Sequence, residues 1–259
     1  MDDSEQRLTH RPEVGRDLPV GAERGVGPGK TSDAPPVPGE RPSALQSIVG
    51  VFLHPRRTFE SMRDRPHFRL ALVILLVIQT GIAILLFRSG VIAEQTIAKM
   101  EEQGKDPRQI EAVSSFFEGT GGILTTVVAA PFATTMGILF GAASLFFMGN
   151  LMMGGRLRFT HYLSAMVYAG IIQIVDQGVR VALILANRTF DVRLGLGVLF
   201  GDATGFPIRA LDILTDPLFL WGNAVCAIGV SAYARRSFKF GLLAVIPGTL
   251  LAVILSANR

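Results

Sequence analysis

Apolar and polar positions come in long blocks along this chain rather than in short alternation. Five apolar runs stand out, at about residues 70–87, 121–153, 161–186, 217–234 and 240–257. A hydrocarbon core of about 30 Å is crossed by roughly 20 apolar residues in a helix. The run at 70–87 carries no charge and is clamped between Arg69 and Arg88. The run at 121–153 would reach about 50 Å as a straight helix at ~1.5 Å per residue. Pro131 is therefore expected to kink it, with its first turns outside the core. The run at 217–234 opens on Asp216 as an N-cap and Pro217 at the first helical position, where a missing N–H matters least. The pattern predicts an all-α integral membrane protein, a five-transmembrane-helix bundle.

The flanks are of a different kind. Residues 1–42 hold seven of the 14 prolines and six glycines with no aromatic residue. Such a composition buries too little apolar surface to offset ordering entropy, and the segment reads as a disordered cytoplasmic tail. Its start, MDDSEQRLTHRPEV, lacks the apolar stretch of a secretory signal. Residues 43–258 then form one membrane domain. Within 44–62, Leu45, Ile48, Val49, Phe52 and Leu53 share a helical face, followed by a basic cluster of Arg56, Arg57, Arg63, Arg65 and Arg69. This segment is expected either to lie in the bilayer interface with its cations on anionic head groups, or to pack on the bundle as a short helix. Pro55 favours two short pieces. In the link after the first run, Asp106, Pro107 and Gln109 open an amphipathic helix with Ile110, Val113 and Phe117 on one face.

Composition agrees with this picture. Only 18% of the 259 residues are charged while 49% are hydrophobic, and the mean hydropathy is +0.41. Soluble domains average roughly 25% charge. The net charge of +4 does not indicate nucleic acid, because the cations lie at the edges of the apolar runs rather than in a stripe. They report topology instead. With the N-terminus inside, ten Arg and Lys cluster near the inner span ends and eight are spread over the outer loops and the C-terminus. That predicts a cytoplasmic N-terminus and an external C-terminus. Trp221 then falls near the outer interface, with Tyr162 and Tyr233 near the inner one.

The candidate site is a polar stripe in the third run. Gln173, Asp176, Gln177 and Arg180 fall at i, i+3, i+4 and i+7 and share one helix face. A mid-span Asp or Arg costs about 2.5 to 3.5 kcal/mol on insertion scales, so this face should turn from lipid and pair its charges. One reading is a polar cavity for a head group, an ion or a proton. The other is a locked Asp176–Arg180 pair holding the bundle together, with Arg180 snorkelling outward. No second charged run stands opposite, which favours the lock. Rows of small residues at four-residue spacing let helices approach closely, and packing within the bundle is expected over dimerisation: Ala133, Gly137 and Gly141; Gly178, Ala182 and Ala186; Asn223, Ala227 and Ser231; Gly248, Ala252 and Ser256.

Enzyme motifs are missing or incomplete. GVGPGKT at 25–31 resembles a phosphate loop but has Arg24 where the pattern needs glycine. The single cysteine, Cys226, supports neither a disulfide framework nor an all-cysteine zinc site. His54, His67 and His161 have no partners at ligand spacing. Nothing in the sequence implies a cofactor or a metal.

The order of three pieces carries a resemblance. HPRRTFESM opens the domain, GGRLRFTHYLSAMVYAG links the second and third runs, and DPLFLWGNAVCAIGVSAYARRSFKFGLLAVIPG forms the terminal hairpin. Over about residues 45–258 the chain resembles the Yip-one domain family, multi-span membrane proteins of the Ypt/Rab-interacting type. The resemblance implies five transmembrane helices, a cytosolic N-terminus and no catalytic residues. In eukaryotes it also implies a part in vesicle traffic through small GTPases. With 21 Arg against 4 Lys the chain resembles a prokaryotic member, for which no such GTPase traffic is expected. The expected protein is a non-enzymatic one of the bacterial inner membrane, acting through membrane lipids, membrane-protein partners or a homo-oligomer. A small transporter or lipid-translocating protein using the polar stripe is the alternative.

Overall fold

The computed structural model describes residues 43–257 except 202 and 204. The tail expected at 1–42 and the incomplete phosphate-loop pattern lie outside the described residues. Ten α-helices follow in order: α1 (Ala44–Leu53), α2 (Pro55–Ser61), α3 (Arg69–Arg88), α4 (Val91–Glu102), α5 (Pro107–Glu118), α6 (Thr120–Phe146), α7 (Phe159–Asn187), α8 (Phe206–Thr215), α9 (Pro217–Ala234) and α10 (Phe238–Ala257). A π-helical stretch, Phe147–Met152, extends α6, and a 3-10 turn, Leu196–Phe200, precedes α8. There is no strand among the described residues.

Five helical stretches are long and apolar enough to cross a membrane: α3, α6 with its π extension, α7, α9 and α10. Some outrun the apolar runs that predicted them. Backbone hydrogen bonding carries α3 onto Arg69 and Arg88, α7 back to Phe159, and α10 back to Phe238. Pro131 sits inside the unbroken α6, where the hydroxyl of Thr135 donates to the Pro131 carbonyl at 2.7 Å. Short elements start where the sequence marks them. Ser43 and Gln46 form a capping box on α1, and Pro55 divides α1 from α2. Asp106 caps α5 by accepting from Arg108 N at 2.8 Å.

The third spanning helix is central. α7 packs against α3, α6 and α9, and α10 closes on α9 and α6. Tyr162, Tyr168, Val167 and Ile172 of α7 are buried in the core with Leu75 of α3 and Val225 and Val230 of α9. Large apolar side chains on the outside, such as Val77 of α3, Phe132 and Phe140 of α6 and Leu243 of α10, are exposed. A hydrocarbon surround makes that arrangement stable, since lipid tails leave no reason to bury them.

Small residues divide differently from expectation. Ala227 and Ser231 are buried against neighbouring helices, and a Cβ on Gly141 would run into Met166 of α7. In contrast, Ala133 and Gly137 on α6 and Gly178, Ala182 and Ala186 on α7 are exposed. Those five positions do not pack this bundle, because four-residue spacing selects a face without saying which way the face turns. The tightest approach is one the rows omit: a Cβ on Gly241 of α10 would run into the backbone carbonyl of Ala227 on α9.

The bundle has two unlike ends. One carries α1, α2, the link 153–158 and the turn at 235–237; the other carries α4, α5, α8 and the link 188–205. At the first, α2 sets Phe59 edge-on to Tyr168 and Tyr233, with centroids 5.9 and 5.4 Å away. Tyr168 OH donates to the His67 carbonyl at 2.9 Å, and His161 Nε2 donates to the Arg63 carbonyl at 2.9 Å. Asn150, in the π-helical stretch, accepts from Leu157 N and Tyr162 OH and donates to Leu157 O. One amide thus fixes the whole short link. At the opposite end Ile110, Val113 and Phe117 are half-buried, with Phe117 5.5 Å from Phe87. α5 therefore lies over the bundle by the face its periodicity marked.

Candidate functional site

Helix geometry brings the polar stripe together, and a residue from another helix completes it. Arg180 Nε lies 3.1 Å from both carboxylate oxygens of Asp176, one turn earlier on α7. Arg180 Nη2 also contacts Asp216 Oδ2. Asp216 was expected only to cap α9, and it does so: its Oδ1 accepts from Leu218 N at 2.9 Å and Phe219 N at 3.2 Å. Its second oxygen is left for Arg180. Asp216 is fully buried and Asp176 is 9% exposed. The guanidinium therefore bridges two carboxylates, and the partial positive charge at the N-terminus of α9 faces the excess negative charge.

The two glutamines do less. Gln173 and Gln177 are half-buried, and Gln173 lies against Gly222 of α9, whose Cβ would meet it at 3.3 Å. Neither makes a side-chain contact with Asp176 or Arg180 among the described hydrogen bonds. A further polar contact couples the last two spanning helices, Thr249 Oγ1 donating to Asn223 Oδ1 at 2.7 Å. Beyond Gln173 toward the α1–α2 end, the buried face of α7 continues as Ile172, Ala169, Tyr168 and Ala165, with no charged residue. The stripe is a cluster at one end of the bundle. It is not a track along it.

Of the cluster, Arg180 forms part of the wall of an open cavity of about 860 Å³ at the α4–α8 end. Lys99 and Glu102 of α4, Arg180 of α7, Asp191 and Arg193 of the following link, and Arg209 and Asp212 of α8 line it. Arg193 is spent locally, on Asp191 at 3.1 Å and on the carbonyls of Gly197, Gly201 and Ala203. Asp212 is buried and accepts from Gly195 N at 2.8 Å.

The basic cluster at the α1–α2 end is only partly available. Arg57, Arg65 and Arg69 are exposed, and Arg56 pairs with Glu60 at 3.0 Å on the surface. Arg63 is turned inward: its guanidinium donates to the Ala232 carbonyl at the end of α9, satisfying an acceptor that the helix end leaves open. Arg63 thus pins the α2–α3 link to the bundle. It is removed from the head-group set in which its spacing had placed it. Of the two expectations for residues 44–62, the structure shows the packing on the bundle. Phe59, Met62 and Val51 are buried in the core, while Leu45, Val49 and Leu53 are exposed in a line along α1.

Among the described residues, no three His, Cys, Asp or Glu side chains are grouped to hold a metal ion. Cys226 is buried.

With five helices long and apolar enough to cross a membrane, the chain is an integral membrane protein. It belongs to the Yip1 domain family, whose model matches residues 49–258. No curated protein and no solved structure matches it.

Proposed function

We propose that this is a non-enzymatic protein of a bacterial cytoplasmic membrane, with its N-terminus cytoplasmic and its C-terminus outside, acting through lipid and protein contacts. The observation that carries the reading is the segregation of charge between the two ends. Among the described residues, the α1–α2 end has ten Arg and Lys against two acids, Glu60 and Asp64. The opposite end has eight against ten, counting Asp176, Arg180 and Asp216. Cations are retained on the cytoplasmic side, and an anionic leaflet attracts each nearby one by about 1 kcal/mol. The exposed Leu45, Val49 and Leu53 line of α1 beside Arg56 and Arg57 suits that leaflet, apolar side in and cations at the head groups.

Arg180 supports the structural reading of the stripe over a pathway. It meets Asp216 at the first turn of α9, so the charged cluster belongs at the edge of the hydrocarbon core, where the insertion penalty is far below its mid-core value. Charges paired within the protein and followed by an apolar continuation make a lock. The cavity beside Arg180 is the feature that would favour a transporter or lipid-translocating role, and the variants that separate the two are given in the Discussion.

The lipid contact is tested by replacing Arg57, Arg65 and Arg69 with glutamine. In mild detergent with equal phosphatidylglycerol and phosphatidylethanolamine, retained phosphatidylglycerol measured by native mass spectrometry should fall severalfold, with helix content unchanged. Unchanged retention would contradict the proposed contact with an anionic leaflet.

A further inference from the structure

We infer that the cavity at the α4–α8 end is a binding site for a zwitterionic phosphoester head group. Crossing out the groups that are satisfied within the protein leaves a short remainder. Arg180 is engaged by Asp176 and Asp216, Arg193 by Asp191 and three carbonyls, and Asp212 by Gly195 N. Lys99, Arg209 and Glu102 have no ion-pair partner among the described residues, and all three line the cavity. Two cations suit a phosphate, for which a guanidinium and an ammonium are the usual protein donors. One carboxylate suits a primary ammonium on the same ligand. The volume of about 860 Å³ is in the ordinary range for small-molecule sites.

The neighbouring loop indicates where such a ligand comes from. In the 3-10 turn, Leu196, Val198, Leu199 and Phe200 are all exposed, Leu199 at 77%. An aqueous loop does not keep four large apolar side chains in water, whereas a leaflet interface accommodates them. This finger is rooted beside the cavity. Arg193 holds its Gly197 and Gly201 carbonyls at 3.1 and 2.7 Å, and Thr215 of α8 accepts from Leu196 N at 2.8 Å. With the finger in the leaflet, the cavity sits at head-group level, and a phospholipid is the phosphoester present there at high concentration. The site goes beyond the proposed function and holds whichever end of the bundle is cytoplasmic.

The test uses the full chain in nanodiscs of equal phosphatidylethanolamine and phosphatidylglycerol, with retained lipid read by native mass spectrometry. The wild type should retain phosphatidylethanolamine in preference. Lys99→Gln with Arg209→Gln should lower that retention about tenfold, Glu102→Gln should erase the preference between the two lipids, and Lys105→Gln with Arg108→Gln, outside the cavity, should change neither. Loss of the anionic-lipid contact through Arg57, Arg65 and Arg69 should leave phosphatidylethanolamine retention intact, so the two proposals fail separately. Soluble glycerophosphoethanolamine distinguishes the sources: failure to displace the lipid assigns a membrane lipid, and displacement at equal concentration assigns a free phosphoester to the same site. Wild-type retention without preference, or equal losses in the two double variants, would overturn the inference. Should Lys99→Gln with Arg209→Gln not fold, the wild-type preference and the Glu102→Gln result still decide it.

Discussion

Arg180→Leu is expected to destabilise the folded bundle by about 3 to 5 kcal/mol, the usual consequence of removing one partner of a buried ion pair. The leucine leaves Asp176 and the fully buried Asp216 without their shared cation. Asp216 keeps its bonds to Leu218 N and Phe219 N, so Asp176 carries most of the penalty. Removing the charges together is expected to be much milder: Asp176→Asn, Arg180→Gln and Asp216→Asn in one chain should recover most of the lost stability. Asparagine caps a helix about as well as aspartate. Thermal unfolding in detergent, followed by far-UV circular dichroism, reads both. A triple variant as unstable as Arg180→Leu would show that the cluster is not a simple lock. The same variant addresses transport. If the charges carried a solute or lipid, the refolded triple variant would lose a flux that the wild type shows in proteoliposomes.

The second large effect is expected at Gly241. A Cβ there meets the backbone carbonyl of Ala227, which cannot move as a side-chain tip can, so even Gly241→Ala should cost about 1 to 3 kcal/mol as overpacking. Gly241→Leu should separate α9 from α10 and prevent the terminal hairpin from closing. Gly137→Ala is the matching control, since nothing lies within 4 Å of a Cβ at that position, and it should leave the melting temperature nearly unchanged. Equal effects at the two glycines would mean that the α9–α10 contact is not the close one described.

These two sites differ in how far the sequence discloses them. The spanning helices are legible because uninterrupted apolar runs have few other solutions, and their ends are marked by Arg69, Arg88, Asp216 and Pro217. The Asp176–Arg180 pair is legible from helical spacing alone. Its third member is not. Asp216 and Pro217 together read as a helix start, and nothing local indicates that the free carboxylate oxygen faces Arg180, 36 residues earlier. That depends on the register of α9 against α7. Arg63 misleads in the same way: its neighbours Arg56, Arg57 and Arg65 are exposed, and only the docking of α2 on α9 turns it to the Ala232 carbonyl. Gly241 lies outside every small-residue row because the close approach needs one glycine opposite one carbonyl. The cavity is invisible in the sequence, since its charged lining comes from α4, α7, α8 and the link between the last two, one or two charged residues from each.

The account stands on an odd number of crossings that separates the cationic end from the acidic one. Cys226 is the single cysteine and is buried, so a new cysteine can be labelled against a silent background. Arg57→Cys, before the first spanning helix, and Ser256→Cys, at the end of the last, should be made separately and treated in intact cells with a membrane-impermeant maleimide. Ser256→Cys should label at once, and Arg57→Cys only after the membrane is permeabilised. Labelling of both from the same side would contradict five crossings, and labelling of Arg57→Cys alone in intact cells would contradict the orientation.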